Sequence, residues 1–195
     1  MKLMEQMILK DGKVLPGGIL KVGSFLNQQI DTELLAAMGE EIKRLYAGDH
    51  VTKILTIESS GIAIAAAAGM AMQVPVVFAK KHKTSNVDGE VYSSVVHSFT
   101  HGTDYNVVVS RDYIRPDDRI LLVDDFLASG SALEGLIELA DEAGAEVVGV
   151  AIAIEKCFQG GGDELRAKGV RIESLAMIDA MDDDGGVSFR PQPEA

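Results

Sequence analysis

Short runs of apolar residues alternate along the chain with longer stretches in which apolar positions recur every three or four residues. The short runs are rich in Val and Ile: Ile54-Leu55-Thr56-Ile57, Val74-Pro75-Val76-Val77-Phe78, Val107-Val108-Val109, Ile120-Leu121-Leu122-Val123 and residues 147–154. They are continuous, the pattern of parallel strands covered by helices on both faces. Residues 32–47 place Leu34, Leu35, Met38, Ile42 and Leu45 on one helical face, with Asp31 in the N-cap position and Gly48 just beyond the end. Residues 61–72 are Ala-rich, which predicts a helix packed closely on a sheet. Residues 133–143 bring Leu133, Leu136, Ile137 and Ala140 together and stop at Gly144. Strands alternating with such helices predict βαβ units and an open α/β sheet.

Residues 83–103 break this rhythm. They are polar, with Asn86, Asp88, Gly89 and several serines, and they hold no sustained period. Such a stretch inside a compact domain predicts a lid or binding loop, with a hairpin as the alternative. Residues 182–186 read as a solvated turn and residues 190–195 as a fraying end. Internal repeats and linkers are not visible, so residues 1–195 are expected to form one domain.

Composition narrows the function classes. The chain has 195 residues, 47% of them hydrophobic, which is ample for a core without staples. Eighteen Lys and Arg against thirty Asp and Glu give a net charge of −12, and the pI is about 4.7. An acidic field repels nucleic acid and anionic lipid. Cys157 is the single cysteine, so no internal disulfide and no CxxC metal site is expected, and a packed thiol is the simplest role. The first ten residues contain Glu5 and no apolar run suited to a signal peptide, and no segment approaches the ~18 apolar residues of a membrane span. A cytoplasmic protein is expected. His97 and His101 stand at i,i+4 without a glutamate to complete a zinc motif, and Gly160-Gly161-Gly162 reads as a flexible turn.

The most informative stretch is Ile120-Leu121-Leu122-Val123-Asp124-Asp125-Phe126-Leu127-Ala128-Ser129-Gly130-Ser131-Ala132. An apolar strand ends in two acids, and a turn of small residues then opens a helix. Ligands of open α/β sheets bind beyond the carboxyl ends of strands. Small residues let backbone N–H groups approach an anion, and the helix adds unpaired amides and the positive end of its dipole. Two carboxylates beside a phosphate suit sugar hydroxyls, or positive charge developing on a sugar carbon. A second turn of this kind, Glu58-Ser59-Ser60-Gly61, follows Ile57. After residues 74–78 come Lys80, Lys81 and Lys83, a local basic patch in an acidic chain that suits a leaving group gaining negative charge.

The first of these stretches resembles the phosphoribosyl pyrophosphate motif of the type I phosphoribosyltransferases. Its loop departs from that pattern, because Ser131 and Ala132 stand where a second glycine and a threonine are usual. Residues 20–31, 56–63, 75–83 and 154–159 resemble bacterial xanthine phosphoribosyltransferases, and the likeness runs along nearly the whole chain. It implies a type I phosphoribosyltransferase fold with a mainly parallel sheet. The core would be residues 48–155, and a small hood would come from residues 1–35 and 156–190.

The resemblance further implies that Ala128, Ser129, Gly130, Ser131 and Ala132 hold a 5′-phosphate, and that Ser59, Ser60 and Gly61 hold pyrophosphate. Asp124 and Asp125 would serve the ribose, Lys81 (with Lys80 and Lys83 as alternatives) the departing pyrophosphate, and Leu20, Asn27 and Lys156 the base. The implied reaction joins N9 of xanthine to the phosphoribosyl group, with Mg2+ bound mainly through the pyrophosphate substrate and a homodimer as the assembly. Another purine base, or a regulator that senses the sugar pyrophosphate without catalysis, are the alternatives; such regulators carry an added DNA-binding domain.

Overall fold

Each of the five apolar runs forms or enters a strand. The computed structural model describes residues 1–81, 90–98, 103–182 and 184–192. The chain opens with helix α1 (Lys2–Asp11), the antiparallel hairpin β1 (Lys13–Leu15) and β2 (Ile19–Lys21), and a π-helical turn at Gly23–Asn27. Helix α2 (Thr32–Leu45) is capped as its sequence predicts: the Asp31 carboxylate accepts the Glu33 and Leu34 amides at 3.1 and 3.0 Å. Then come β3 (Lys53–Ile57), α3 (Gly61–Met72), β4 (Val76–Ala79), β5 (Val91–Ser98), β6 (Thr103–Ser110) and β7 (Arg119–Leu127). The rest is α4 (Ser131–Glu142), β8 (Glu146–Lys156), a 3-10 turn at Cys157–Gln159, α5 (Gly161–Ala167), β9 (Ile172–Met181) and β10 (Val187–Phe189).

Six strands form the central sheet in the order β10-β9-β8-β7-β3-β4. Strands β4, β3, β7, β8 and β9 are parallel, and β10 closes the edge antiparallel to β9. The continuity of the apolar runs has a direct cause. In β7, Leu121 and Val123 join the core formed with α1, α2 and α3, while Ile120 and Leu122 join the core formed with α4 and α5. Both faces of the strand are therefore dry. The Ala-rich pattern of α3 has its reason too. A Cβ on Gly39 of α2 would stand 2.6 Å from the Ala67 carbonyl oxygen, so the two helices meet backbone to backbone.

Three expectations need correction. Residues 107–109 do not extend the parallel sheet; β6 pairs antiparallel with β5 in a separate two-stranded arm. Its first strand, β5, occupies part of the segment read as a lid or loop, so the hairpin alternative is the one that holds, with Ser94 and Val96 of that strand buried. Residues 82–89 and 99–102, with Lys83 and His101, lie outside the described residues. Finally, Arg190 does not fray: its backbone N–H donates to the Met177 carbonyl at 2.8 Å and its guanidinium binds Asp163 and Asp179.

Candidate active site at the carboxyl edge of the sheet

Strands β3, β7 and β8 lie side by side and point their carboxyl ends the same way, so the chain segments that follow them converge. The acids on β7 come just before the strand's end, with Phe126 and Leu127 still paired beyond them. Asp124 is 5% exposed, and its Oδ1 accepts the Asp125 amide at 2.9 Å. Asp125 accepts the Phe126 amide at 3.0 Å and is half-buried. Burial, reinforced by the Asp125 carboxylate, holds the Asp124 carboxyl well above the usual carboxylate range, and Lys81 opposes the shift.

Beyond the acids the chain turns through Ala128, Ser129 and Gly130. Gly130 has φ of +91°, a left-handed conformation that favours glycine, and Ser131 opens α4. No side chain caps α4, so its first amides face the turn without the kind of partner Asp31 gives α2. The Ser129 and Ser131 hydroxyls stand 3.2 Å apart across the turn.

The turn after β3 sits beside the acids. The Glu58–Ser59 peptide is cis, Ser60 precedes α3 without a side-chain cap, and Gly61 is its first residue. A Cβ on Gly61 would stand 2.9 Å from Asp124 Oδ1 and closer still to Thr56 Oγ1. Thr56 Oγ1 is buried and has no hydrogen-bond partner among the described residues. Lys80 bridges to Val108 of the arm, and the exposed Lys81 donates its backbone N–H to Glu58 Oε1 at 2.7 Å. The Lys81 ammonium lies 5.4 Å from the Tyr105 ring centroid.

At the end of β8, Lys156 turns toward the N-terminal hairpin. Its Nζ donates to the Gly18 carbonyl at 2.9 Å and lies 5.5 Å from the Phe126 ring centroid, and burial lowers its pKa. Gly18 in turn lies against the Phe158 ring. Leu20 is 7% exposed in β2, and Asn27 is exposed at the last position of the π-helical turn. The structure therefore brings together Asp124, Gly61 and Lys81 at one end, and Lys156 with the hairpin that carries Leu20 at the other. Among the described residues, the Asn27 side chain makes no hydrogen bond to the rest.

Sequence reasoning missed Phe126, Phe158 and Gly18 around Lys156. It also read Gly160-Gly161-Gly162 as a flexible turn, which the structure corrects. Gly161 and Gly162 are buried in the first turn of α5, and the Gly161 N–H donates to the Ala128 carbonyl at 3.2 Å. Cys157 is a packed thiol whose pKa is pushed up to about 11, chiefly by burial and then by Glu155.

A phosphoribosyl transferase domain profile matches residues 23–174. The xanthine phosphoribosyltransferase of Lachnoclostridium phytofermentans is 51% identical over 191 residues, which cover 97% of this chain and 98% of that protein. The xanthine phosphoribosyltransferase of Latilactobacillus sakei is 51% identical over 189 residues, covering 97% and 96%. Among solved structures, the adenine phosphoribosyltransferase of Giardia lamblia with 9-deazaadenine superposes with a TM-score of 0.76 at 20% identity, covering 89% of this chain and 97% of that one. The adenine enzyme of Rhodothermus marinus gives 0.74 at 23% identity, covering 91% and 99%. At these identities the solved structures speak for the fold, which is that of the type I phosphoribosyltransferases.

Proposed function

The chain belongs to the phosphoribosyl transferase family, with the xanthine phosphoribosyltransferases as its full-length relatives, and from that premise we propose that it transfers the phosphoribosyl group to xanthine. Xanthine N9 forms a bond to C1 of 5-phosphoribosyl 1-pyrophosphate as the C1–oxygen bond breaks. The bonding pair leaves with pyrophosphate, xanthine gives up its imidazole proton, and the products are xanthosine 5′-monophosphate and pyrophosphate. The observation that carries this reading is the pair Asp124 and Asp125 near the end of β7, followed by a small-residue turn and an uncapped helix start at the carboxyl edge of the sheet.

Each part has a physical task. Residues 128–132 offer backbone amides and two hydroxyls to the 5′-phosphate, where the α4 dipole adds to the attraction. Asp125, half-exposed, accepts from ribose hydroxyls, and Asp124 faces the ribose ring as positive charge grows on it. Ser59, Ser60 and Gly61 receive the pyrophosphate, and Lys81 offsets its increasing negative charge. No side chain is needed as a nucleophile, so rate comes from placement and electrostatics. The Lys156 ammonium suits an electron-rich oxygen of xanthine because it can donate three hydrogen bonds and Gly18 takes one. Leu20 and Asn27 complete the base pocket from the hood, which is formed by residues 1–35 and 156–190.

Magnesium fits this site as an ion carried by the substrate. Among the described residues no group of three or more Asp, Glu, His or Cys side chains could cage a metal. The carboxylates of Asp124 and Asp125 are hard oxygen donors of the kind that supplement phosphate oxygens around Mg2+. When bound, the ion would neutralise charge on the pyrophosphate.

A homodimer has a suitable face in α3, which is apolar on every side. Met70 on that helix is 73% exposed and Phe78 on the adjoining edge strand β4 is 41% exposed. We place the chain in the cytoplasm, where a single buried cysteine such as Cys157 stays a thiol; among the described residues no helix is long and apolar enough to cross a membrane.

The test is pyrophosphate release with xanthine, guanine, hypoxanthine and adenine, run on the wild-type chain and on Lys156→Ala. Xanthine is expected to be turned over fastest, and Lys156→Ala to lose that preference. Turnover of adenine without xanthine would refute the specificity. Binding of the sugar pyrophosphate without turnover of any base would replace the enzyme by a sensor.

A further inference from the structure

The first turn of α5 is packed on the turn assigned to the 5′-phosphate, and a single buried carboxylate sets where α5 lies. A Cβ on Gly161 would stand 2.6 Å from the Gly130 amide nitrogen and nearer still to the Ser129 carbonyl carbon and the Ala128 carbonyl oxygen. All three are main-chain atoms of the phosphate turn, so a side chain there has nothing flexible to displace. From the other side, a Cβ on Gly130 would meet Leu165 Cδ1 of α5 at 3.2 Å. The Gly161 N–H to Ala128 carbonyl bond, 3.2 Å, ties the two segments directly.

Helix α5 is fixed in turn by Glu155 of β8, which is fully buried. Its carboxylate receives both guanidinium arms of Arg166, each at 2.7 Å, together with the Ser174 hydroxyl from β9. Gly162 lies directly on that carboxylate, and a Cβ there would overlap Glu155 Oε1. Two adjacent glycines thus seat α5 between a buried acid below and the phosphate turn above. A forked, planar contact of this kind defines position and angle, unlike a point charge.

We propose that Gly161 is a positioning residue for 5′-phosphate binding, supporting the Ala128–Gly130 main chain from a helix locked in place by the Glu155–Arg166 pair. This rests on the phosphoribosyl transferase reading above. Glu155 directly precedes Lys156, so the strand that presents the base-holding lysine also anchors the support beneath the phosphate.

The test compares two probes of the same active site, ribose 5-phosphate and inorganic pyrophosphate, by calorimetry on the wild type, Gly161→Ala and Arg166→Lys. Misplacing the turn weakens ribose 5-phosphate binding about tenfold or more in Gly161→Ala, with pyrophosphate affinity within about twofold of wild type, since geometric errors of about 1 Å cost such factors. Arg166→Lys shifts the same probe in the same direction by about threefold, because the charge is kept and the fork is lost. Steady-state kinetics show the matching split, a raised KM for the sugar pyrophosphate with KM for xanthine unchanged. Equal weakening of both probes, or no weakening of ribose 5-phosphate in folded variants, overturns the proposal. Should Gly161→Ala fail to fold, Arg166→Lys decides alone by the same comparison. A wild-type chain that binds neither probe instead defeats the functional reading itself.

Discussion

The Lys156 ammonium donates to the carbonyl oxygen of Gly18, 138 positions earlier in the chain, at 2.9 Å. The hydrogen bond spans the place where the β1–β2 hairpin meets the end of β8, with the Phe126 ring near Lys156 and the Phe158 ring near Gly18. A lysine half out of water, with one of its three protons engaged by a main-chain oxygen, can present the others to a ligand without moving. Replacing it by Met keeps the stem and removes the donors. Hydrogen bonds to charged groups are worth ~1.5–3 kcal/mol, so Lys156→Met should raise KM for xanthine about 10- to 100-fold. Affinity for the sugar pyrophosphate, titrated by calorimetry, should stay as in the wild type.

Asp124 should oppose stability while serving activity. Burial raises its carboxyl pKa in the folded chain, whereas in the unfolded chain it ionises near ~3.9. The folded state therefore holds a proton that the unfolded state has released. That contribution is complete below the unfolded pKa and is lost as pH rises through the folded one. Asp124→Asn, which cannot ionise, should melt above the wild type at pH 7.5. The gap should close toward pH 4. Once pH exceeds the folded pKa, where the wild-type group carries the negative charge that offsets the ribose, turnover of the same variant should be about 100-fold or more below wild type. A variant that melts lower at both pH values would contradict this account.

Chelation separates a substrate-borne metal from a resident one. EDTA should abolish pyrophosphate release, and added Mg2+ should restore it. The melting temperature of the ligand-free protein should not move, because the described residues include no cage whose emptying would loosen the fold.

Cys157 should be chemically quiet. With its pKa near 11 and its sulfur buried, the folded thiol holds almost no thiolate at pH 7.5. Iodoacetamide should label it at least ~100-fold more slowly in the folded protein than in denaturant, as read by mass spectrometry. Rapid labelling of the native chain would mean that the turn at Cys157–Gln159 opens.

The sheet was legible because its strands are buried on both faces, and the runs at 54–57, 120–123 and 147–154 announce this directly. Capping at Asp31 and the small-residue turn at 128–130 were equally plain. The arm was legible only in part: the run 107–109 marks a strand, but β5 buries only Ser94 and Val96 between the exposed Ser93 and Val95, a polar pattern too short to stand out. Pattern also misled at 160–162, where glycines signal close packing as readily as freedom, and spacing alone cannot separate the two. One clue went unused: Glu155 interrupts an apolar strand, and an acid in that position requires a partner, which proves to be Arg166 eleven residues later. The Lys156–Gly18 contact joins distant segments, and no local rule in the sequence announces it.

The three turns that meet at the candidate site hang from adjacent strands, β3, β7 and β8. Adjacent strands repeat every ~4.8 Å, so the step from the turn after β3 to Lys156 at the end of β8 is two repeats, about 10 Å. Main-chain hydrogen bonds set that width, and no exchange of side chains can stretch it. The sheet thus acts as a ruler: mutation can alter which purine is favoured, while the calibrated reach across sugar and base passes unchanged through any such drift.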